Sequence, residues 1–341
     1  MLTSEQLKDF ALNQALVDKV GIANIERFRD APADMNPLSI MPTARSVIVL
    51  LKRILRGSLR GIDQGTHWSS YTVFGYAGLN NMLQRAGYRV ARFLESHGHE
   101  AVHVAAIGTT REHGPAGPRP GPGRPRPEVT VHHRIAATLA GLGEIGWAKV
   151  FLTEEFGPRQ RLRVLLTDAE LEPDPIRVGR ICDRCKRCVA ECPAGAIPAD
   201  RSVSIEVEGH RIEWADIDIG KCKLTHFGLN RITSPFMARR FPGLYLPVGE
   251  QEVTWLEAWD LGRLVFPGVP LYRALAEHPI AICGARGCII GCMKHLEEKG
   301  LVKNRFRTRP VFSEGRPWRL SERPAPAEHH GFVYDPETDR D

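Results

Sequence analysis

Residues 182–198 read CDRCKRCVAECPAGAIP: four cysteines at spacings of three, three and four, closed by a proline. The residues between them are charged or small, so no apolar core asks for this pattern, and the chain must fold around something that thiols hold. Cys222 in KCKLTH, and Cys283, Cys288 and Cys292 in ICGARGCIIGCMKHLEEKG, bring the total to 8. No charged leader with a following apolar stretch, no early twin-arginine signal and no membrane-length apolar run is present, so a cytoplasmic location without membrane association is expected. There thiols stay reduced, and clustered cysteines act as ligands rather than as disulfides.

Cys182, Cys185, Cys188, Cys192 and Pro193 form C-x2-C-x2-C-x3-C-P, the spacing of bacterial ferredoxins. Three close thiolates wrap one cubane while the intervening N–H groups point at its sulfides. The fourth leaves on the next helix, whose first turn suits a residue without an N–H. By ferredoxin logic the fourth thiolate ligates a second cluster. Cys292 then returns to complete the set of Cys182, Cys185 and Cys188, and Cys192 joins Cys222, Cys283 and Cys288. Eight thiolates are what two 4Fe–4S clusters require. The second set departs from the compact ferredoxin repeat: Cys222 is distant, Cys283 to Cys288 is one residue longer, and no proline follows Cys292. Zinc is the competing reading, although structural zinc favours paired C-x2-C knuckles over this triple.

The rest of the chain is expected to be α+β, with an α/β domain over 1–175, a cysteine-rich domain over 176–300 and a tail over 301–341. Thr3 and Gln6 fit a capping box at the start of an amphipathic helix. Val47 to Leu51 is a buried-strand pattern, EAVHVAAIG and RLRVLLTD are two more strands, and YAGLNNMLQRAGYRVARFLESHG is a long helix ended by glycine. HGPAGPRPGPGRPRPE is too rich in Gly and Pro for regular structure and reads as a loop. HHRIAATLAGLGEIGW is a helix running into a glycine turn. The formal charge of +6, from 46 basic and 40 acidic residues, is spread along the chain and is no nucleic-acid footprint.

HHRIAATLAGLGEIGWAKVFLTEEFGPRQRLRVLLTDAELEPDP, followed by the cysteine run, resembles epoxyqueuosine reductase and the reductive dehalogenases. The matching pieces are AGLGEIG, LTEEFGPR and LLTDAELEPD in that order, extended by DKVGIANIERF and YRVARFLESHGHEAVHVAA. The resemblance implies a corrinoid-dependent reductase. Its nitroreductase-like α/β cobalamin-binding domain would be joined to a two-cluster ferredoxin-like domain. It also implies cofactor contacts at the glycine turn, Gly141, Gly143 and Gly146, and at Thr167. Glycines there would let backbone approach a flat ligand where a Cβ would collide.

The departures bear on the substrate. Epoxyqueuosine reductase carries an acidic proton donor before a Tyr-His pair, where this chain reads Gly75-Tyr76-Ala77. Glu144 stands where that family has tryptophan, and the tail is too short for its helical repeats. A small organic substrate is therefore expected and tRNA is not. With the acid absent, proton-donor candidates are Tyr76 foremost, then Tyr71 and His133. The expected reaction removes a halide, oxygen or similar substituent with electrons from a ferredoxin or flavodoxin. Two alternatives stay open: a flavin-dependent or cofactor-free iron–sulfur reductase on the same scaffold, and a non-catalytic two-cluster electron-transfer partner.

Overall fold

The computed structural model describes residues 2–64, 67, 69–104, 120–125, 129–228, 253–254, 257–258, 260–262 and 281–303. Helix α1 (Ser4–Asn13) begins at the expected capping box: Gln6 N donates to Thr3 Oγ1 (3.2 Å) and Thr3 N donates to Gln6 Oε1 (3.0 Å). The box satisfies two orphan amides at once. Leu7 and Ala11 then turn one helix face inward.

Four strands form the main sheet: β1 (Lys19–Asn24), β2 (Ser46–Arg53), β3 (Ala101–His103) and β6 (Gln160–Thr167), in the order β1-β2-β6-β3. Every pairing is antiparallel, and β2 meets β6 from Ser46↔Thr167 to Arg53↔Gln160. An antiparallel sheet often shows one face to water, but β2 reads apolar without alternation. The reason is that both of its faces are covered. Val47, Val49 and Leu51 point to one core, and Ile48 and Leu50 to another. Helices α1 and α3 (Leu79–Ser96) cover one face through Leu7, Leu83, Val90 and Leu94. Helix α4 (His133–Leu139) and the turn after it cover the other through Ala136, Ala140 and Leu142. Each of these fully buried aliphatic side chains larger than alanine contributes about 1.5–3 kcal/mol.

Short α2 (Arg60–Gln64) leads towards a π-helical turn, Ser70–Gly78, that runs directly into α3. The long helix expected from residue 76 is therefore preceded by one wide turn, a distortion that often marks functional positions. Strands β4 (Glu144–Ile145) and β5 (Phe151–Leu152) make a small separate pair. The cysteine region holds α5 (Arg187–Ala190), the hairpin β7 (Ser202–Val207) and β8 (His210–Ala215), α6 (Ile219–His226), a second π-helical turn, Arg286–Gly291, and α7 (Cys292–Glu298).

The expected boundary near residue 175 does not separate two cores. Ile212 and Trp214 of β8 pack into the core under β2 and β6. Ile54, Leu59 and Tyr71 share a core with Leu224, Phe227, Ile282, Ile290 and Met293. Hydrophobic surface on both sides of the boundary is buried mutually, so the two regions form one packing unit. The Pro/Gly-rich stretch expected as a loop lies largely outside the described residues, as does the tail beyond 303. Among the described residues no helix is long and apolar enough to cross a membrane.

Candidate functional site

All eight cysteines are free thiols, and they fall into two sets. Burial pushes the Cys292 thiol well above its usual value, and Cys182, Cys188 and Cys185 beside it push it further. In the other set burial raises Cys222 to about 11 with Cys192 adding to it, and Cys283 to about 12 with Cys222 and Cys192 adding. Cys288 is raised by burial and by Cys283, Cys222 and Cys192. The thiols that act on one another are thus Cys182, Cys185, Cys188 and Cys292 in one group and Cys192, Cys222, Cys283 and Cys288 in the other.

Thiols crowded in this way resist ionisation because thiolates would repel one another without solvent to screen them. A multivalent iron centre reverses that logic and holds all four as thiolates. The donor sets thus fit one cluster each. Cys222 keeps exposed surface although burial raises its thiol.

In the first, outer set Cys185 is exposed, and Asp183, Cys185 and His295 lie within 4.8 Å of one another. His295 Nε2 and Asp183 Oδ2 are 2.7 Å apart, which ties α7 to the cysteine loop. Cys188 of the same set is buried, and in the other, inner set Cys283 and Cys288 are half-buried with thiols that burial raises. Where the sets cross, a Cβ on Gly287 would strike the Cys188 carbonyl and come within 2.8 Å of Cys192 N. This glycine carries the crossing, and its only sequence signal was the spacing from Cys283 to Cys288, one residue longer than in the ferredoxin repeat.

Beside the inner set, the first π-helical turn presents Tyr71 and Tyr76, ring centroids 6.2 Å apart and nearly perpendicular. The Arg161 guanidinium lies 3.8 Å over the Tyr76 ring and donates from Nε to Asn80 Oδ1 at 3.0 Å. Arg161 holds the Tyr76 phenol below its ordinary 10.0; Lys223, the Arg161 hydrogen bond and Arg134 add to this against the opposing effect of burial. Arg134 in turn feels Tyr76, Cys288 and Cys222. Burial drives Tyr71 far upward, so its proton stays on. Burial, Lys223 and Arg161 push His226 down to about 3, leaving a neutral ring that accepts from Ala281 N at 3.2 Å. His133 is buried at the first position of α4, while its neighbour Arg134 takes the direction towards Tyr76. Arg134, Arg161, Lys223 and Asn80 escaped sequence reading because nothing local distinguishes them from surface residues.

Protein packs closely on the glycine turn expected to contact a cofactor. A Cβ on Gly143 would strike the Leu152 carbonyl, and one on Gly146 would come within 2.7 Å of Leu152 Cδ1. Gly141 sits at φ +69° with the Pro175 carbonyl 2.5 Å from its would-be Cβ. On the Cβ side of these three positions the close approach is by protein backbone and side chains. Thr167 is also committed: its hydroxyl donates to Glu100 O (2.7 Å) and accepts from Ala169 N (3.2 Å). Protein packing and hydrogen bonding account for all four residues without a ligand.

No family-wide sequence profile matches the chain. A tetrachloroethene reductive dehalogenase of Desulfitobacterium hafniense is 42% identical over 72 residues, 20% of this chain and 13% of that protein. An epoxyqueuosine reductase of Gloeobacter violaceus is 29% identical over 140 residues, 40% of this chain and 35% of that protein. The matches thus span well under half of either relative. Among solved structures, a catabolic reductive dehalogenase in complex with 3-bromo-4-hydroxybenzoic acid covers 94% of this chain and 42% of its own, at 20% identity and a TM-score of 0.45. The two sequence matches agree with the motifs quoted above: over the matched stretches the chain is similar to reductive dehalogenases and epoxyqueuosine reductases.

Proposed function

We propose that the protein is an iron–sulfur reductase that replaces a substituent on a small organic molecule with hydrogen. The observation that carries this reading is the inner thiol set beside a tyrosine whose acidity is raised by flanking cations. In this reading Cys182, Cys185, Cys188 and Cys292 hold an outer 4Fe–4S cluster, and Cys192, Cys222, Cys283 and Cys288 an inner one. A ferredoxin or flavodoxin delivers electrons at the outer set, where Cys185 is exposed. They pass inward towards Tyr76.

The net change is R–X + 2 e⁻ + H⁺ → R–H + X⁻, so an acid is needed as well as electrons. Tyr76 supplies the proton from its phenolic oxygen. Arg161 orients the ring and stabilises the phenolate left behind, Lys223 and Arg134 add to that field, and Asn80 fixes Arg161. Tyr71 packs against the ring and keeps water away. A corrinoid, when bound, would supply the low-valent metal for cleaving the carbon–substituent bond. The nitroreductase-like character of the first region and the ferredoxin-like character of the second, packed on each other across residue 175, belong to the same proposal, as does the cytoplasmic location.

The packed glycine turn favours a second reading, a corrinoid-free or flavin-dependent reductase, or an electron-transfer partner, on the same two clusters. The relative named epoxyqueuosine reductase keeps modified tRNA among the substrates to test, against the expectation drawn from Gly75. The experiment is anaerobic reconstitution with iron, sulfide and hydroxocobalamin followed by gel filtration. About eight irons per chain are expected from eight thiolates. Stoichiometric zinc with little iron overturns the proposal. Corrinoid bands that survive filtration select the first reading, and flavin bands or clusters alone select the second.

A further inference from the structure

Glu144 stands in the middle of the glycine turn and is only 4% exposed. A buried carboxylate needs donors for both oxygens. Three consecutive backbone amides provide them: Arg180 N donates to Oε2 at 2.8 Å, and Ile181 N and Cys182 N donate to Oε1 at 3.1 and 2.6 Å. The last amide belongs to the first cysteine of the run. The same turn reaches that cysteine a second time, because Trp147 N donates to Cys182 Sγ at 3.4 Å.

The Trp147 indole extends the hold to the rest of the loop. Its Nε1 donates to Pro198 O at 2.9 Å, and Lys186 Nζ and Arg184 Cζ lie 2.7 and 5.1 Å from its ring centroid. Between them the loop bends through Arg184 and Lys186, both in the left-handed region at φ +59°. Residues other than glycine keep that conformation only when their surroundings impose it.

We propose that Glu144 is the positioning residue of the outer cluster: its carboxylate gathers the amides of 180–182, fixes Cys182 for iron, and places a buried negative charge that lowers the cluster's reduction potential. The proposal rests on the reading of Cys182 as a cluster ligand. A glutamine has one acceptor oxygen and would set its own N–H₂ against a converging amide, so the shape survives but the clip does not. Charge-assisted hydrogen bonds are the strong ones, and the effect should be correspondingly large.

The test compares wild type and Glu144→Gln, both reconstituted anaerobically. Each is followed by electron paramagnetic resonance during a redox titration and during iron removal by a chelator, with the outer signal assigned by its loss in Cys185→Ser. The expected result is an outer cluster with a higher potential that is stripped about tenfold faster, from the loss of charged hydrogen bonds, and an unchanged inner cluster. Unchanged potentials and rates, or equal acceleration of both clusters, overturn the proposal while the cluster reading stands. A wild-type chain that holds no iron overturns both. Should the glutamine variant not fold, Glu144→Asp keeps the charge but falls short of the amides. There a selectively labile outer cluster supports the proposal, and equal behaviour of the two clusters overturns it.

Discussion

The outer and inner cysteine sets have the same composition and are built by opposite means. The outer set takes three of its four thiols from seven consecutive residues, 182–188, and lies near the surface with Cys185 exposed. The inner set is gathered from Cys192, α6 and the segment 283–288, and burial drives the thiols of Cys222, Cys283 and Cys288 upward as it does those of Cys188 and Cys292. A local set is positioned by its own loop and needs only a clamp, here Glu144 and Trp147. A gathered set is positioned by the core, since Leu224, Phe227, Ile282 and Ile290 pack on the wall formed by Ile54, Leu59 and Tyr71. In the proposed reading electrons enter at the set with exposed Cys185 and the chemistry takes place at the set beside Tyr76.

The largest expected effect breaks the pairing itself. Cys192→Ala removes a thiol whose sequence neighbours form the outer set but whose spatial partners are Cys222, Cys283 and Cys288. Iron should fall from about eight to about four per chain, with the outer cluster's signal intact. Loss of the outer cluster instead would show that the sets do not exchange cysteines.

Next comes the chemistry beside the inner set. Tyr76→Phe should lower turnover by about a hundredfold or more, the scale of a lost general acid, without changing iron content. The phenol must be protonated to act, and its value lies below 10.0, so turnover should fall as pH rises through an alkaline limb below 10.0. Arg161→Met removes the main cause of the lowering and should move that limb upward; an unmoved limb assigns it to another group.

The smallest effect sharpens the contrast from the outer side. Gly143→Val forces a side chain against the Leu152 carbonyl, so it should lower stability by about 1–3 kcal/mol through overpacking, seen as a lower unfolding midpoint in the apoprotein. Any accompanying iron loss should fall on the outer set, whose clamp hangs from the same turn. If stability is unchanged and only corrinoid retention suffers, the glycine faces a cofactor after all.

What the sequence determined alone is what short-range geometry decides. The capping box at Thr3 and Gln6, the strand from Val47, the strand of RLRVLLTD and the close grouping of Cys182, Cys185 and Cys188 were legible, because each depends on residues a few positions apart. Strand β1 and the hairpin β7–β8 were not singled out. Val203 is left exposed while Ile212 and Trp214 reach the main core, so the hairpin's alternation makes sense only beside β2 and β6. Tertiary structure alone showed what packs on the glycine turn, since Leu152 and Pro175 lie where the Cβ atoms of Gly143, Gly146 and Gly141 would be. It also decided the surroundings of Tyr76. Arg134, Arg161 and Lys223 come from three separate elements, and their charges act on one phenol only because burial removes the water that would otherwise screen them.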